Sequence, residues 1–271
     1  MDSLLPPILT EPFLLRALAA AVLLAIAGGV IGTFVQMRGM SFYTDTIAHS
    51  AFTGVALGVL LGIDVGLSAV LFAVLIGLAV LVIRRRTSLS FDTVLGVLFA
   101  TVAALGIFLL TFLDQVRVDL FALLFGDILA ISTLDLWIIA GASALALSVL
   151  WMLHRQLVLE IIHPELAEVE GVPTRRNDLI FGIVVATMIA LGIKLIGIIL
   201  LSGLFLIPSA TSYLLAKNFR ELLWGSVAVG VIAAIVGVAG SALLDTATGP
   251  TIVLVSSLVF GAAYLVRSPR S

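Results

Sequence analysis

The sequence contains no cysteine. That excludes disulfides, a thiolate metal centre and thiol redox chemistry. Charge is scarce too: Asp, Glu, Lys and Arg make up 11% of the 271 residues, against 62% hydrophobic, with a mean hydropathy of +1.29. Such a composition excludes an ordinary soluble domain and describes a polytopic membrane protein. No polar stretch is long enough for an appended soluble module, so a single membrane domain over residues 1–271 is expected. The phosphate-binding pattern GxxxxGK[ST] is absent, so if ATP powers this protein another chain must bind it. The start, MDSLLPPILTEPF, lacks the basic region of a cleaved signal peptide, and the first apolar segment is expected to remain as a helix. The net charge of −2 carries no information about partners, and no nucleic-acid partner is expected.

What the chain does have is apolar segments, at 12–37, 42–62, 65–83, 91–113, 134–153, 178–194, 196–216, 221–244 and 250–266. They predict an all-α bundle of eight or nine transmembrane helices. Basic residues set its orientation. Arg84, Arg85, Arg86, Arg155, Arg175, Arg176, Lys217, Arg220, Arg267 and Arg270 fall in loops on one side, ten of the fourteen basic residues. That side is read as cytoplasmic. The opposite loops carry Asp64, Asp114, Asp119, Asp135 and Asp245 against Arg117 alone.

The chain is organised around the second segment, Ser41 to Gly62, SFYTDTIAHSAFTGVALGVLLG. Asp45 and His49 stand four residues apart, which puts both on one helix face. A carboxylate inside a bilayer costs about 2.5–3.5 kcal/mol on insertion scales, so it is rare without a partner or a task. Carboxylate plus imidazole is a ligand pair suited to zinc or manganese. An interhelical hydrogen bond is the alternative reading. Of the three histidines, His49 alone lies well inside an apolar stretch, which favours a functional site. Gly54, Gly58 and Gly62 recur every four residues. They predict a packing face, with Gly54 about 180° from Asp45 at ~100° per residue. Gly28 and Gly32 predict a similar face on the first helix.

Other features are read more simply. Arg38 is taken as an interfacial anchor whose charge snorkels to the cytoplasmic surface. Lys194, about 24 Å along its helix from Asp178, is taken as the same at the outer surface. Residues 117–129 are too short to span, and an outer amphipathic helix is expected there, with Asp127 at its end. Pro208 should kink its helix, with Ser209, Thr211 or Ser212 serving the freed carbonyls. Asp245 to Pro250 reads as an outer turn. The longest polar loop, 155–177, contains Pro164, acids after it and Gly171, which predict a short helix over 164–170 at the cytoplasmic face. His163 is placed at its exposed start and His154 at the membrane edge.

Several runs, SFYTDTIAHSAFTGVALG, FDTVLGVLFA, LFGDILAIS, HPELAEVEGVP, GIILLSGLFLIPSATS and LDTATGPTIVLVSSLVF, occur in this order in the permease subunits of bacterial metal-ion ABC importers. The sequence resembles that family over nearly its whole length. It looks closest to the zinc-uptake permeases, whose second helix reads D-T-L-A-H, with manganese next. The resemblance implies a small relative of the cobalamin and siderophore importer permease fold in the bacterial cytoplasmic membrane. It implies a homodimer, a pair of cytoplasmic ATP-binding subunits and an extracytoplasmic metal-binding protein. Zn2+ or Mn2+ would be cargo, with no permanently bound cofactor and no covalent chemistry. It implies that Asp45 and His49 coordinate metal on the path, and that Glu165, Ala167, Glu168 and Gly171 belong to the loop that couples to the ATPase. The rival mechanism is a proton-coupled secondary metal transporter with Asp45 and His49 as a proton relay. An intramembrane metalloenzyme would need about three ligands and finds too few here.

Overall fold

The computed structural model describes residues 11–112 and 131–267, and only the backbone of 194–196, 198–200 and 202. Among the described residues there are helices and no strand. They are α1 (Pro12–Met37), α2 (Ser41–Leu61), α3 (Val65–Arg86), α4 (Phe91–Leu110), α5 (Thr133–Ile162), α6 (Pro164–Val169), α7 (Thr174–Ile196), α8 (Ile198–Leu215), α9 (Phe219–Leu244) and α10 (Thr248–Arg267). Among the described residues eight helices are long and apolar enough to cross a membrane, and Gly203–Leu215 of α8 is a shorter apolar helix. The expected all-α membrane bundle is therefore what the chain forms. The amphipathic helix expected over 117–129, with Asp127, and the side chain of Lys194 lie outside the described residues.

Short polar residues start the helices by satisfying free backbone N–H groups. Asp64 accepts from Leu67 N at 2.7 Å before α3, and Ser90 accepts from Thr93 N at 3.1 Å before α4. Asn218 accepts from Glu221 N at 2.9 Å while Glu221 accepts from the backbone of Lys217 at 2.9 Å before α9. Asp245 closes α9 in the left-handed conformation, φ 52°, within the turn expected there.

The helices gather into two compact units. One holds α1 up to Gln36, α5 up to Ala144, α8, α9 and α10. Its contacts rest on small residues, as the α1 pattern predicted. A Cβ on Gly32 would collide with the carbonyl oxygen of Phe205 in α8, and one on Gly29 would sit 2.8 Å from Val227 Cα in α9. Thr33 donates to Ser226 Oγ at 3.1 Å, and Ser212 donates to the Leu222 carbonyl at 2.8 Å. Pro208 stands inside α8. Ser209 donates to the carbonyls of Phe205 and Leu206, and Thr211 to that of Ile207, next to the Leu204 carbonyl that proline leaves without its helical donor.

The second unit holds α2, α3, α4, α5 from Leu145, α6 and α7 to Ile193. Gly54 and Gly58 meet α3: a Cβ on Gly54 would lie 2.8 Å from Ala69 Cα, and Ser68 Oγ donates to the Gly54 carbonyl at 2.7 Å. Gly62 does not share that face. It caps α2 with φ 66° and has open space around it, so its glycine is required by backbone conformation. The fully buried Tyr43 of α2 donates to the Gly182 carbonyl of α7 at 3.2 Å.

Two boundaries differ from those expected. The fifth helix runs to Ile162, so 155–162 is helix and not loop. Leu153 and Leu157 are buried one turn apart, which keeps an apolar stripe going under a polar surface. The seventh helix begins at Thr174, which places Asn177 and Asp178 in its first turns.

The glycine contacts generate a prediction. Gly32→Ala should lower the thermal unfolding midpoint in detergent, corresponding to about 1–3 kcal/mol of overpacking, since its neighbour is backbone and cannot yield. Gly141→Ala, in a helix with nothing near the added carbon, should be neutral or gain up to about 1 kcal/mol.

Candidate functional site

Asp45 and His49 lie on the face of α2 turned to α4. Phe42, Asp45, Thr46 and His49 form one stripe at helical spacing, and Asp92, Leu95, Gly96 and Phe99 form the matching stripe on α4. Together they line a cavity of about 360 Å³. Farther along, the two helices touch closely. Thr53 donates to the Val102 carbonyl at 2.8 Å, and a Cβ on Gly106 would press on Thr53 Oγ1 at 2.6 Å. The cavity is thus the space left between the first halves of α2 and α4.

Both expected site residues are half-buried. The His49 Nδ1 is 3.0 Å from the backbone carbonyl of Asp45. When Nδ1 carries the proton, it donates to that carbonyl and leaves the Nε2 lone pair for a ligand. Phe99 supports the ring from α4, with centroids 4.6 Å apart and planes at 61°. The carboxylate of Asp45 has no hydrogen bond or ion pair among the described residues. Among the described residues, the interhelical hydrogen bond that was the alternative reading of the pair is not made.

Asp92, the third ionisable group lining the cavity, was not assigned a role from sequence. It is exposed, in the first turn of α4, and likewise unpaired among the described residues. Its signal was its place in the FDTVLGVLFA run, where an acid near a helix start also reads as an ordinary response to the helix dipole. Among the described residues no three His, Cys, Asp or Glu side chains are grouped to hold a metal ion. One chain therefore offers an imidazole and a carboxylate, which is less than a full coordination shell for zinc.

The expected coupling residues lie elsewhere in the same unit. Pro164 stands at the first turn of α6, where its missing N–H costs nothing. Gly171 follows with φ 69° and open space, and Val172 N returns to the Ala167 carbonyl at 2.9 Å. Ala167 is fully buried, while Glu165, Glu168 and the 84%-exposed Val169 face outward. The methyl of Ala167 thus seats the helix, and the acids and Val169 are what it presents. His163 is exposed before α6 without a side-chain cap bond, and His154 stacks on Trp151.

A second cavity, of about 480 Å³, is lined by Pro164 and Thr174 together with Met37, Arg38, Met40, Leu81, Arg84, Arg85, Glu160, Ile161 and Asp178. It shares no residue with the first. Here the reading of Arg38 is corrected: it does not snorkel. Its side chain is only 10% exposed and binds Glu160 at 2.5 Å and Asp178 at 2.6 Å. Its guanidinium carbon stands 5.0 Å from the centre of the Phe181 ring. Arg85 takes the second oxygen of Asp178 at 2.6 Å. Asn177 donates to Glu160 at 2.6 Å and to Gln156 at 2.9 Å. A guanidinium with two carboxylates in reach pairs with them before it reaches for solvent.

Comparison with known proteins places the chain among transport proteins. The model of the family described as the ABC 3 transport family matches residues 10–267. The manganese transport system membrane protein MntC of Halalkalibacterium halodurans is 33% identical over 97% of this chain and 90% of its own. The high-affinity zinc uptake system membrane protein ZnuB of Haemophilus influenzae is 34% identical over 91% of this chain and 95% of its own. Among solved structures, PsaBC from Streptococcus pneumoniae in complex with Fab is similar with a TM-score of 0.82 at 29% identity, covering 94% of this chain and 92% of the other. An inward-facing putative metal-chelate type ABC transporter has a TM-score of 0.73 at 18% identity, covering 94% and 85%, which supports the fold alone.

Proposed function

The chain belongs to the ABC 3 transport family, and from that premise we propose that it is the membrane permease of an ATP-driven divalent-metal importer. The observation that carries this reading is the imidazole of α2 and its carboxylate, unpaired among the described residues, both lining one cavity on a largely apolar helix. Similar proteins bear names for manganese transport and for zinc uptake. The D-T-I-A-H run resembles the zinc form, so zinc is the proposed cargo, with manganese next.

In this reading residues 1–271 form one permease domain of the bacterial cytoplasmic membrane. An extracytoplasmic metal-binding protein delivers the ion at the outer face. The ion passes a transient site at Asp45 and His49. A cytoplasmic pair of ATP-binding subunits grips α6 through Glu165, Glu168 and the turn at Gly171, with Ala167 as its buried seat. The chain binds and releases an ion and makes no covalent bond.

The permease works as a homodimer with the site on its two-fold axis. One chain brings one imidazole and one carboxylate, and zinc favours four ligands in a tetrahedron. A two-fold interface brings the same residues from each chain together. Two copies of Asp45 and His49 give an N₂O₂ set, suited to zinc and acceptable to manganese.

Asp45→Ala or His49→Ala should abolish ATP-dependent uptake of the metal into proteoliposomes while insertion and assembly persist. Uptake at the wild-type rate in both variants would remove the site. Uptake that needs no ATPase and collapses with a proton gradient would instead fit the proton-coupled mechanism.

The two-fold arrangement predicts one ion per two chains. It also predicts strong impairment of a dimer that pairs a wild-type chain with a His49→Ala chain. One ion per chain, or half of wild-type uptake in the mixed dimer, would mean that each chain works alone.

For the coupling helix, Gly171→Val forces a β-branched residue into the left-handed region, and Glu168→Arg reverses an outward charge. Both should separate ATP hydrolysis from uptake. Normal metal-stimulated hydrolysis with normal uptake in both would make the segment 163–173 between α5 and α7 a plain connector.

A further inference from the structure

The loop that carries α6 is held at both ends by one side chain. Glu160 lies just before that loop, near the end of α5, and Asp178 lies just after it, in α7. The two nitrogens of the Arg38 fork take one carboxylate each, at 2.5 and 2.6 Å. Arg38 itself precedes α2 by a two-residue turn in which Gly39 adopts φ 63°. Asp45 lies about one turn into α2. The first turn of α2 is also bound to α7, through Tyr43 and the Gly182 carbonyl.

The charges balance. Arg38 and Arg85 face Glu160 and Asp178, and Asn177 fills a remaining lone pair of Glu160. Arg38 and Glu160 are 10% and 8% exposed. A charge set withdrawn from water this far gains little stability over apolar residues of the same volume. What it supplies is geometry, because a planar fork holding two carboxylates fixes their separation and direction.

We infer that Arg38 is a positioning residue that transmits movement of α6 to the start of α2, and so to Asp45 and His49. The inference rests on the proposed reading of those two residues as the ion site and of α6 as the coupling helix. When α6 shifts, it carries Glu160 and Asp178, and the fork carries the beginning of α2 with them. A lysine keeps the charge but offers no planar fork with which to hold both carboxylates at once.

The test uses the complete importer, this permease with its ATPase and binding protein, in proteoliposomes. Zinc uptake and ATP hydrolysis are measured in one sample. Arg38→Met leaves the buried Glu160 without a cation and Asp178 with Arg85 alone, so stability alone could explain a defect. The triple variant Arg38→Met, Glu160→Gln, Asp178→Asn removes the three least exposed charges together, leaves only the more exposed Arg85, and should stay near the wild-type melting temperature. The expected result is hydrolysis within about twofold of wild type but uptake per ATP reduced at least about tenfold, within the usual range of coupling between sites. Wild-type uptake per ATP in the triple variant would overturn the inference and make the network purely structural. If the triple variant does not assemble, Arg38→Lys decides. A drop of about threefold or more in uptake per ATP, with zinc binding to the purified permease unchanged, supports transmission. A wild-type ratio refutes it. Asp45→Ala and Glu168→Arg run alongside. Normal uptake in Asp45→Ala, or normal coupling in Glu168→Arg, means that the underlying reading has failed, whatever Arg38 does.

Discussion

A carboxylate without a counter-ion in an apolar helix is the constraint on which the structure turns. Asp45 is half-buried and unpaired among the described residues, at a cost of about 2.5–3.5 kcal/mol on insertion scales. The rest of α2 offsets that cost by packing tightly on its other side. Gly54 and Gly58 let α3 approach to contact, and Tyr43 and Thr53 tie the helix to α7 and α4. The helix is held firmly, and the face with Asp45 and His49 is left to a cavity. In the proposed function, a bound metal ion would remove the electrostatic penalty at Asp45.

The ion network around Arg38 is the opposite solution to the same problem. Four charges are drawn together at one end of the second unit, two of them almost wholly buried, and every charged group is answered. Two of the buried atoms without a hydrogen-bond partner among the described residues, Arg38 Nε and Asn177 Oδ1, belong to the same cluster. In the proposed mechanism the two arrangements are complementary. The unpaired carboxylate waits for cargo, and the paired ones hold the machinery near α6 in register.

Much of this was legible in the sequence because it depends on short spacings. Asp45 and His49 share a face by the four-residue rule, and Gly28 and Gly32 fall on a packing stripe. Pro164 and Gly171 bracket a short helix by the physics of a missing N–H and a left-handed turn. What was not legible depends on distance along the chain. The partners of Arg38 are 122 and 140 residues away, so a lone arginine beside an apolar run read as an interfacial anchor. The extension of α5 to Ile162 was hidden by polar residues on its outer side. Asp92 reads locally as a helix-start acid, and only the packing of α4 against α2 brings it to the cavity. Gly62 belonged by spacing to the glycine face, but the backbone ends there and takes it as a cap.

The central claim is that His49 and Asp45 form the first coordination shell of the transported ion. X-ray absorption at the zinc edge of the zinc-loaded permease tests it most directly. The account predicts a mixed nitrogen and oxygen shell at about 2.0–2.1 Å, with imidazole scattering that disappears in His49→Ala. An oxygen-only shell, or imidazole scattering that survives the loss of His49, would contradict it.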